Sequence, residues 1–490
     1  MLTRTAFEDS RLSFWLRVRE IAVPPPMIRT ATARRTAGDW AGACAAAGFD
    51  VDLDLRTAGR LHGSELAVRL RADLRRLAPD LLRWHMPRTA PDGFLRPGTS
   101  LTLVRYDDPG RARPVHLVAR TAPTWADAGQ RISLALWDGH ASTGPGGYRP
   151  PDRRFRLDLH RHLWDASRSG ELRERSVAGG PAPRWAGSLP GAQRFASGRW
   201  AAEAALLTAA EGSPGGGRVA VRLGARRRLL LDVRASAAAS VSDSAAASVS
   251  DSVSDSVSDS LSDSLSGGGG TTPEVRSVEF ARAGACAGHP VLPDAATWVL
   301  PDLVLLREGW IAAERLHPLV AAALEPGTPG PSAPGPSADG DGDCRTTART
   351  VDCRGARHRI GLIDGVLVPL DHDPAEIRRE ELLAALTGTP LPCLQVIDVA
   401  HRRPDCLTEV RDRLAHGDAA GALARIDNVL GAGAHLRDGD LRDALHDAAR
   451  QRVTHGLFRA GLTGPGREPP GQKPSRPTTH RSRPRQAASL

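Results

Sequence analysis

The stretch HRIGLIDGVLVPLDHDPAE, residues 358–376, is the most legible in the chain. Apolar residues alternate at Ile360 and Leu362 and again at Val366, Val368 and Leu370, on either side of Asp364-Gly365. An Asp-Gly pair tolerates the positive φ of a tight type I′ turn, so the segment predicts two antiparallel strands in a hairpin. The strand period then stops. Asp373 is placed to cap a helix and Pro374 suits its first turn, where a missing N–H costs nothing. Glu376 stands where a capping box closes, so a helix is predicted through Leu386.

The same residues raise a chemical question. Asp371 and Asp373 flank His372, with Cys353 and His358 upstream, and such groups can serve acid–base or metal chemistry. The helix start accounts for Asp373, Pro374 and Glu376 without any chemistry. The pairs Cys344-x8-Cys353 and Cys393-x12-Cys406 do not have zinc-finger or zinc-ribbon spacing, so these cysteines are expected to be buried free thiols. No metal and no cofactor is predicted.

Beyond the hairpin the chain reads as short helices to about residue 462. On its N-terminal side, residues 326–343 form a Pro/Gly linker. There Asp339, Asp341 and Asp343 begin like a calcium loop, but Cys344 and Thr350 stand where glycine and glutamate are required. Residues 273–325 read as a strand-helix segment. Residues 236–272 repeat Ser-Asp-Ser and end in Gly267–Gly270, too poor in apolar surface for a core, and are expected to be a disordered linker.

Residues 94–235 read as an α+β middle domain with strands at Leu101–Tyr106, Val115–Ala119 and Ile132–Trp137 and a hairpin turning at Gly224-Ala225. Phe155, Leu157 and Leu159 alternate with polar neighbours and predict another strand, on which Asp158, His160 and His162 would share a face. H-x-H on a strand can bring two imidazoles to one metal. Residues 1–90 read as a helical domain, with a core stripe at Leu66, Leu70, Leu74, Leu77 and Leu81. Arg69, Arg75 and Arg76 lie off that stripe and are candidate contacts for an acidic partner. Asp50, Asp52 and Asp54 suggest a strand edge kept soluble. The fold class is therefore α+β: helical N- and C-terminal regions flank a mainly antiparallel β-containing middle, with disordered linkers.

The 490 residues contain 65 Lys and Arg, of which Lys473 is the one lysine, so arginine carries the net charge of +9. Lys473 sits among prolines in the tail, which excludes a P-loop, a β3-lysine kinase, an S-x-x-K acyl transferase and Schiff-base chemistry. No G-x-S-x-G, H-E-x-x-H or C-x-x-C occurs. Six cysteines are too few for a disulfide scaffold, and no signal peptide or long apolar run is read, so a reducing cytoplasm and no membrane are expected. Residues 463–490 form a basic tail, expected to be disordered, through which nucleic-acid binding is possible.

One motif occurs at both ends: Gly38-Asp39-Trp40-Ala41-Gly42-Ala43 and Gly417-Asp418-Ala419-Ala420-Gly421-Ala422. In each, glycine can close one helix in the left-handed region and aspartate can cap the next. The joint resembles those of tetratricopeptide-type helical repeats, without their 34-residue period. Ala78-Pro79-Asp80-Leu81-Leu82-Arg83-Trp84-His85 and the segment Leu367–Leu386 resemble an uncharacterised family of Arg-rich proteins from GC-rich actinobacteria. That resemblance implies a bacterial cytoplasm and no particular activity.

The expected function is a non-catalytic interaction or accessory protein with protein partners. The alternative is a metal-assisted hydrolase drawing on Asp158, His160, His162, His358, Asp371 and His372.

Overall fold

The computed structural model describes residues 2–108, 110, 113–139, 149–176, 182–189, 191–225, 227–234, 273–325, 349–364 and 366–463. The two linkers, the basic tail, Cys344 and the calcium-like loop lie outside these residues. The architecture is α+β, with several small, mainly antiparallel sheets among helices.

The N-terminal helices are α1 (Leu2–Ile21), α2 (Pro25–Thr36), α3 (Trp40–Ala46), α4 (Leu55–His62), α5 (Ser64–Arg76) and α6 (Pro79–His85). The leucine stripe is buried throughout and spans two helices, because Leu77 and Ala78 break the turn and Pro79 restarts it. Strands β1 (Phe49–Val51), β4 (Ser100–Tyr106), β5 (Val115–Thr121) and β6 (Ile132–Trp137) form one sheet in the order β1-β6-β5-β4. The predicted meander is β4-β5-β6. The Asp-rich strand β1 joins its edge in parallel with β6, and β2 (Arg88–Thr89) pairs with β3 (Phe94–Leu95) apart from it.

The boundary read at residues 90–94 falls inside a single apolar core. Phe14, Leu70, Trp84, Leu103, Leu117 and Trp164 pack in one cluster with Leu305 and Val320, which lie on helices α10 (Pro301–Arg307) and α11 (Pro318–Leu324). Helix α6 ties this body together. Asp80 meets His317 at 3.0 Å, and Trp84 shares Asp302 with the buried Arg19. The buried Arg83 donates to the carbonyls of Ala22, Gln130 and His416 at 3.0, 2.7 and 2.8 Å. Burial lowers its pKa to about 10, and three carbonyl acceptors hold the cation in place.

A second core belongs to the middle of the chain. Strands β7 (Gly216–Arg222), β8 (Arg228–Arg234) and β9 (Glu274–Ala281) form a meander against helix α8 (Trp200–Ala210), which follows the short helix α7 (Glu171–Ser176), and against helix α9 (Asp294–Thr297). The hairpin at Gly224 is as expected. Its third strand comes from beyond the Ser-Asp segment, so residues 273–298 complete this unit rather than standing apart.

The predicted strand at 155–159 does not form. Three-residue helical turns, Leu157–Leu159 and Arg161–Leu163, replace it, closed by His160 N–H to the Leu157 carbonyl and Leu163 N–H to the His160 carbonyl. These turns put Phe155, Leu157, Leu163 and Trp164 all into the body core, and alternation over five residues is too short to fix a strand.

The C-terminal unit begins with β10 (Arg349–Cys353), β11 (Ala356–Ile363) and β12 (Val366–Pro369), an antiparallel meander. Helices α12 (Pro374–Thr387), α13 (Pro392–Arg402), α14 (Leu407–His416), α15 (Ala419–Leu430) and α16 (Asp440–Arg459) follow. Both Gly-Asp joints form as expected. Gly38 and Gly417 have φ of 80° and 89°, and Asp39 and Asp418 accept from the N–H of Gly42 and Gly421 at 2.8 and 2.9 Å. The unit docks on the body through α14 and α16. His455 on α16 faces the Ala126 carbonyl and Asp50 at 2.9 and 3.1 Å, and Arg459 reaches Asp50 and Asp52. The edge acids Asp50 and Asp52 are thus docking points, while Asp54 caps α4 through the Thr57 N–H. Among the described residues no single helix is long and apolar enough to cross a membrane. One pair, Pro374–Thr387 with Pro392–His416, passes by length and composition but is bent by 76°.

Candidate metal centre

Strands β10 and β11 are joined by Arg354-Gly355, with φ of 52° and 81°, a two-residue turn of the kind that keeps strand pairing tight. Cys353 pairs with Ala356, so Cys353 and His358 are diagonal neighbours on one face of the sheet. After β12 the chain turns back. Asp371 accepts the Arg359 N–H at 2.7 Å and pairs with its guanidinium at 2.8 Å, and this turn carries His372 over His358. Arg359 holds the Asp371 carboxyl down at about 2, so Asp371 is an anchor of the turn and not a proton carrier at neutral pH. Pro390 and Pro392 then redirect the chain after α12, and Cys393 falls in the first turn of α13, which packs on β10.

Four ligand atoms meet there. The sulfurs of Cys353 and Cys393 and one ring nitrogen each from His358 and His372 all lie within 4.8 Å of one another. His358 Nδ1 is 2.6 Å from His372 Nε2, somewhat closer than the edge of about 3.3 Å that two nitrogens span on a tetrahedral zinc ion. Both cysteines are fully buried, and the His372 side chain is 2% exposed. The other nitrogen of His372, Nδ1, faces Glu376 at 3.4 Å, and Arg354 grips Glu376 at 2.9 Å and also binds Glu380. A carboxylate behind a ligating imidazole is the usual way a metal site fixes its histidine. Glu376 therefore does not close the expected capping box: Asp373 alone caps α12, accepting the Ala375 N–H at 2.9 Å.

Burial, and then the neighbouring Cys353 thiol, push the Cys393 thiol up to about 11. A cation among the four groups would reverse that preference, because thiolate coordination replaces the missing solvation. Two sulfurs and two imidazoles suit a borderline-soft ion, zinc above all, and four protein ligands fill its tetrahedral shell with no open position for a substrate or water.

The other sequence candidates do not join this group. Asp158 pairs with Arg156 at 2.7 Å. His160 Nδ1 lies 3.1 Å from the Arg156 carbonyl, and its Nε2 lies 3.1 Å from Glu203. Burial works to raise the Glu203 carboxyl, but His160 and Arg175 outweigh it and hold the group well below the usual range. His162 is buried, and that burial, followed by Arg175 and His160, lowers it well below an ordinary imidazole. Among the described residues, no set including His160 or His162 converges within metal reach.

Of the candidate partner arginines, Arg69 lies over the Tyr106 ring at 5.3 Å and Arg76 meets Asp73 at 3.2 Å, while Arg75 is exposed with no partner among the described residues. The residue that sequence reading left out of the His358/His372 group is Cys393. The ligand pattern C-x4-H-x13-H-x20-C interrupts its last interval with a whole helix. The local signal was present only at its start, as C-x4-H around Arg354-Gly355. Compared with known protein families, curated proteins and solved structures, the chain matches none of them.

Proposed function

We propose that residues 349–402 form a zinc-organised module in a non-catalytic protein that works by binding a protein partner. The observation that carries this reading is the convergence of Cys353, His358, His372 and Cys393 within 4.8 Å from three separate stretches of chain: the β10–β11 hairpin, the turn after β12 and the start of α13. A closed four-ligand site is structural, and a module with so small an apolar core gains its order from ligation. The thiolate ligands suit a reducing compartment, and a cytoplasmic location follows on this reading. Support for a protein partner comes from α12, held between the ligands His372 and Cys393. None of its side chains is buried, and Leu382, Leu383 and Leu386 stand exposed in its last two turns, apolar surface that a partner would cover.

The test is elemental analysis of the full chain purified under reducing conditions. Wild type should hold about one equivalent of zinc after dialysis, falling below about 0.1 in the double variant C353S/C393S. A wild type that takes up no zinc on reconstitution, or a double variant that keeps its zinc, overturns the reading.

A further inference from the structure

The second core carries an unbalanced group of arginines away from the metal centre. Arg222 and Arg228 stand directly opposite each other at the end of the β7–β8 hairpin, where like charges repel. The Nε of each is buried and has no hydrogen-bond partner. Alongside β7 runs the segment Pro290–Leu292: Ala220 N–H donates to the Pro290 carbonyl at 2.8 Å, and Leu292 N–H donates to the Ala220 carbonyl at 2.9 Å. This parallel contact brings Asp294 to the level of Arg222. Asp294 is already taken by Arg154, through its carboxylate at 2.5 Å and through its N–H to the Arg154 carbonyl at 2.9 Å. Asp152, whose N–H donates to the Ser100 carbonyl, accepts the Arg154 N–H at 3.0 Å.

Arg96, four residues before Ser100, completes the group. Burial and then repulsion from Arg154 lower the Arg96 guanidinium, against the pull of Asp294 and Asp152. Arg222 is lowered by burial and then by Arg154, and it also feels Arg228. Four guanidiniums thus share two carboxylates. Arg96, Arg222 and Arg228 are half-buried and form no ion pair with an acid among the described residues. A half-buried excess of two positive charges with unmet N–H donors is costly unless an acceptor joins it.

We propose that Arg96, Arg154, Arg222 and Arg228 form a binding site for a doubly charged phosphoryl group, such as that of a phosphate monoester or a diphosphate. Its oxygens would accept from the opposed forks of Arg222 and Arg228, the geometry in which guanidinium recognises phosphate. The charge would balance the excess. Asp294 would keep Arg154 aimed rather than compete for the ligand, because it is bound at both its carboxylate and its backbone.

The test is titration of the full chain with inorganic phosphate and pyrophosphate in low-chloride buffer, followed by calorimetry and thermal melting. Wild type should bind pyrophosphate saturably, and R222Q and R228Q should each weaken that binding at least about tenfold. Arg71→Gln, on an exposed face of the body, should leave it unchanged. In phosphate-free buffer R222Q should melt higher than wild type, since it relieves the cross-strand repulsion, and it should lose the gain in Tm that pyrophosphate gives wild type. No saturable binding up to about 10 mM, or equal affinity in R222Q, R228Q and wild type, overturns the proposal. An equal loss in Arg71→Gln would mean diffuse attraction to basic surface and would overturn it too.

Discussion

The body and the β10–β12 unit hold themselves together by different means. In the body, residues as far apart as Phe14 and Leu324 share one continuous apolar core, joined by buried pairs such as Arg19 with Asp302. Around β10–β12 and α13 the buried cluster is Cys353, Ile360, Leu391, Cys393 and Ile397. Two of these five are the cysteines of the candidate metal centre, so what little core exists is partly the ligand set. Apolar burial of this size does not offset the entropy of ordering three strands and a helix. The body is fixed by burial, whereas on the reading proposed above coordination would fix the small unit.

The largest effect that could break this contrast is metal removal. Chelation, or C353S, should cost the β10–β12 unit about 4 kcal/mol or more, read as loss of amide hydrogen-exchange protection in β10–β12 while β4–β6 keeps theirs. The reciprocal change is Leu70→Ala in the body, where Leu70 has no exposed surface. It should lower body stability by about 2–5 kcal/mol and leave zinc content unchanged. If chelation leaves β10–β12 as protected as before, coordination is not what orders that unit.

The repeated Gly-Asp joint sharpens the same comparison at a smaller scale. Gly38 and Gly417 both take a positive φ, but a Cβ on Gly38 would meet nothing within 4 Å, whereas one on Gly417 would stand 2.2 Å from the Gly129 carbonyl oxygen. Gly38→Ala should therefore cost only the backbone strain of a side chain in the left-handed region, about 1 kcal/mol. Gly417→Ala carries the same strain and also pushes α14 off the body, so about 3 kcal/mol is expected, with the exchange of α14 and α16 rising first. Equal losses in thermal melts of the two variants would show that the close approach at Gly129 contributes nothing.

These joints, the hairpin at Asp364 and the helix start at Asp373-Pro374 were legible in the sequence because each depends on residues within a turn of one another. The meander β4-β5-β6 was legible for the same reason, since neighbouring strands are joined by short connections. What was not legible depends on distant partners. Nothing local says that β9 will pair with β8 across the Ser-Asp segment, or that residues 301–324 will return to the core of the first helices. The candidate metal centre was half legible: His358 and His372 stood out, but Cys393 joins them only because α12 is carried outward without burying a side chain. His160 and His162 were misplaced because the alternation of Phe155 and Leu157 does not continue: the helical turns bury His160 and His162, which a strand would have put on the polar face.

The docking of α16 on β1 gives the smallest and most pH-sensitive test. Asp50 receives His455 at 3.1 Å, Arg131 at 2.7 Å and Arg459 at 3.0 Å. Burial works to raise its carboxyl, but the hydrogen bonds from His455 and Arg131 and the charges of Arg131 and Arg459 outweigh it and hold the group well below the usual carboxylate range. A folded-state pKa below the unfolded value of about 4 means that this contribution is complete above pH 4 and is lost as pH falls below it. Asp50→Asn should accordingly cost about 2 kcal/mol at pH 7, because three donors lose their anionic acceptor, and the gap to wild type should narrow as the pH is lowered towards 3. The effect belongs to the junction, so exchange should rise in α16 and around Ala126 while β10–β12 stays protected. A loss that is the same at pH 7 and pH 3 would mean that the side chain acts there through shape rather than charge.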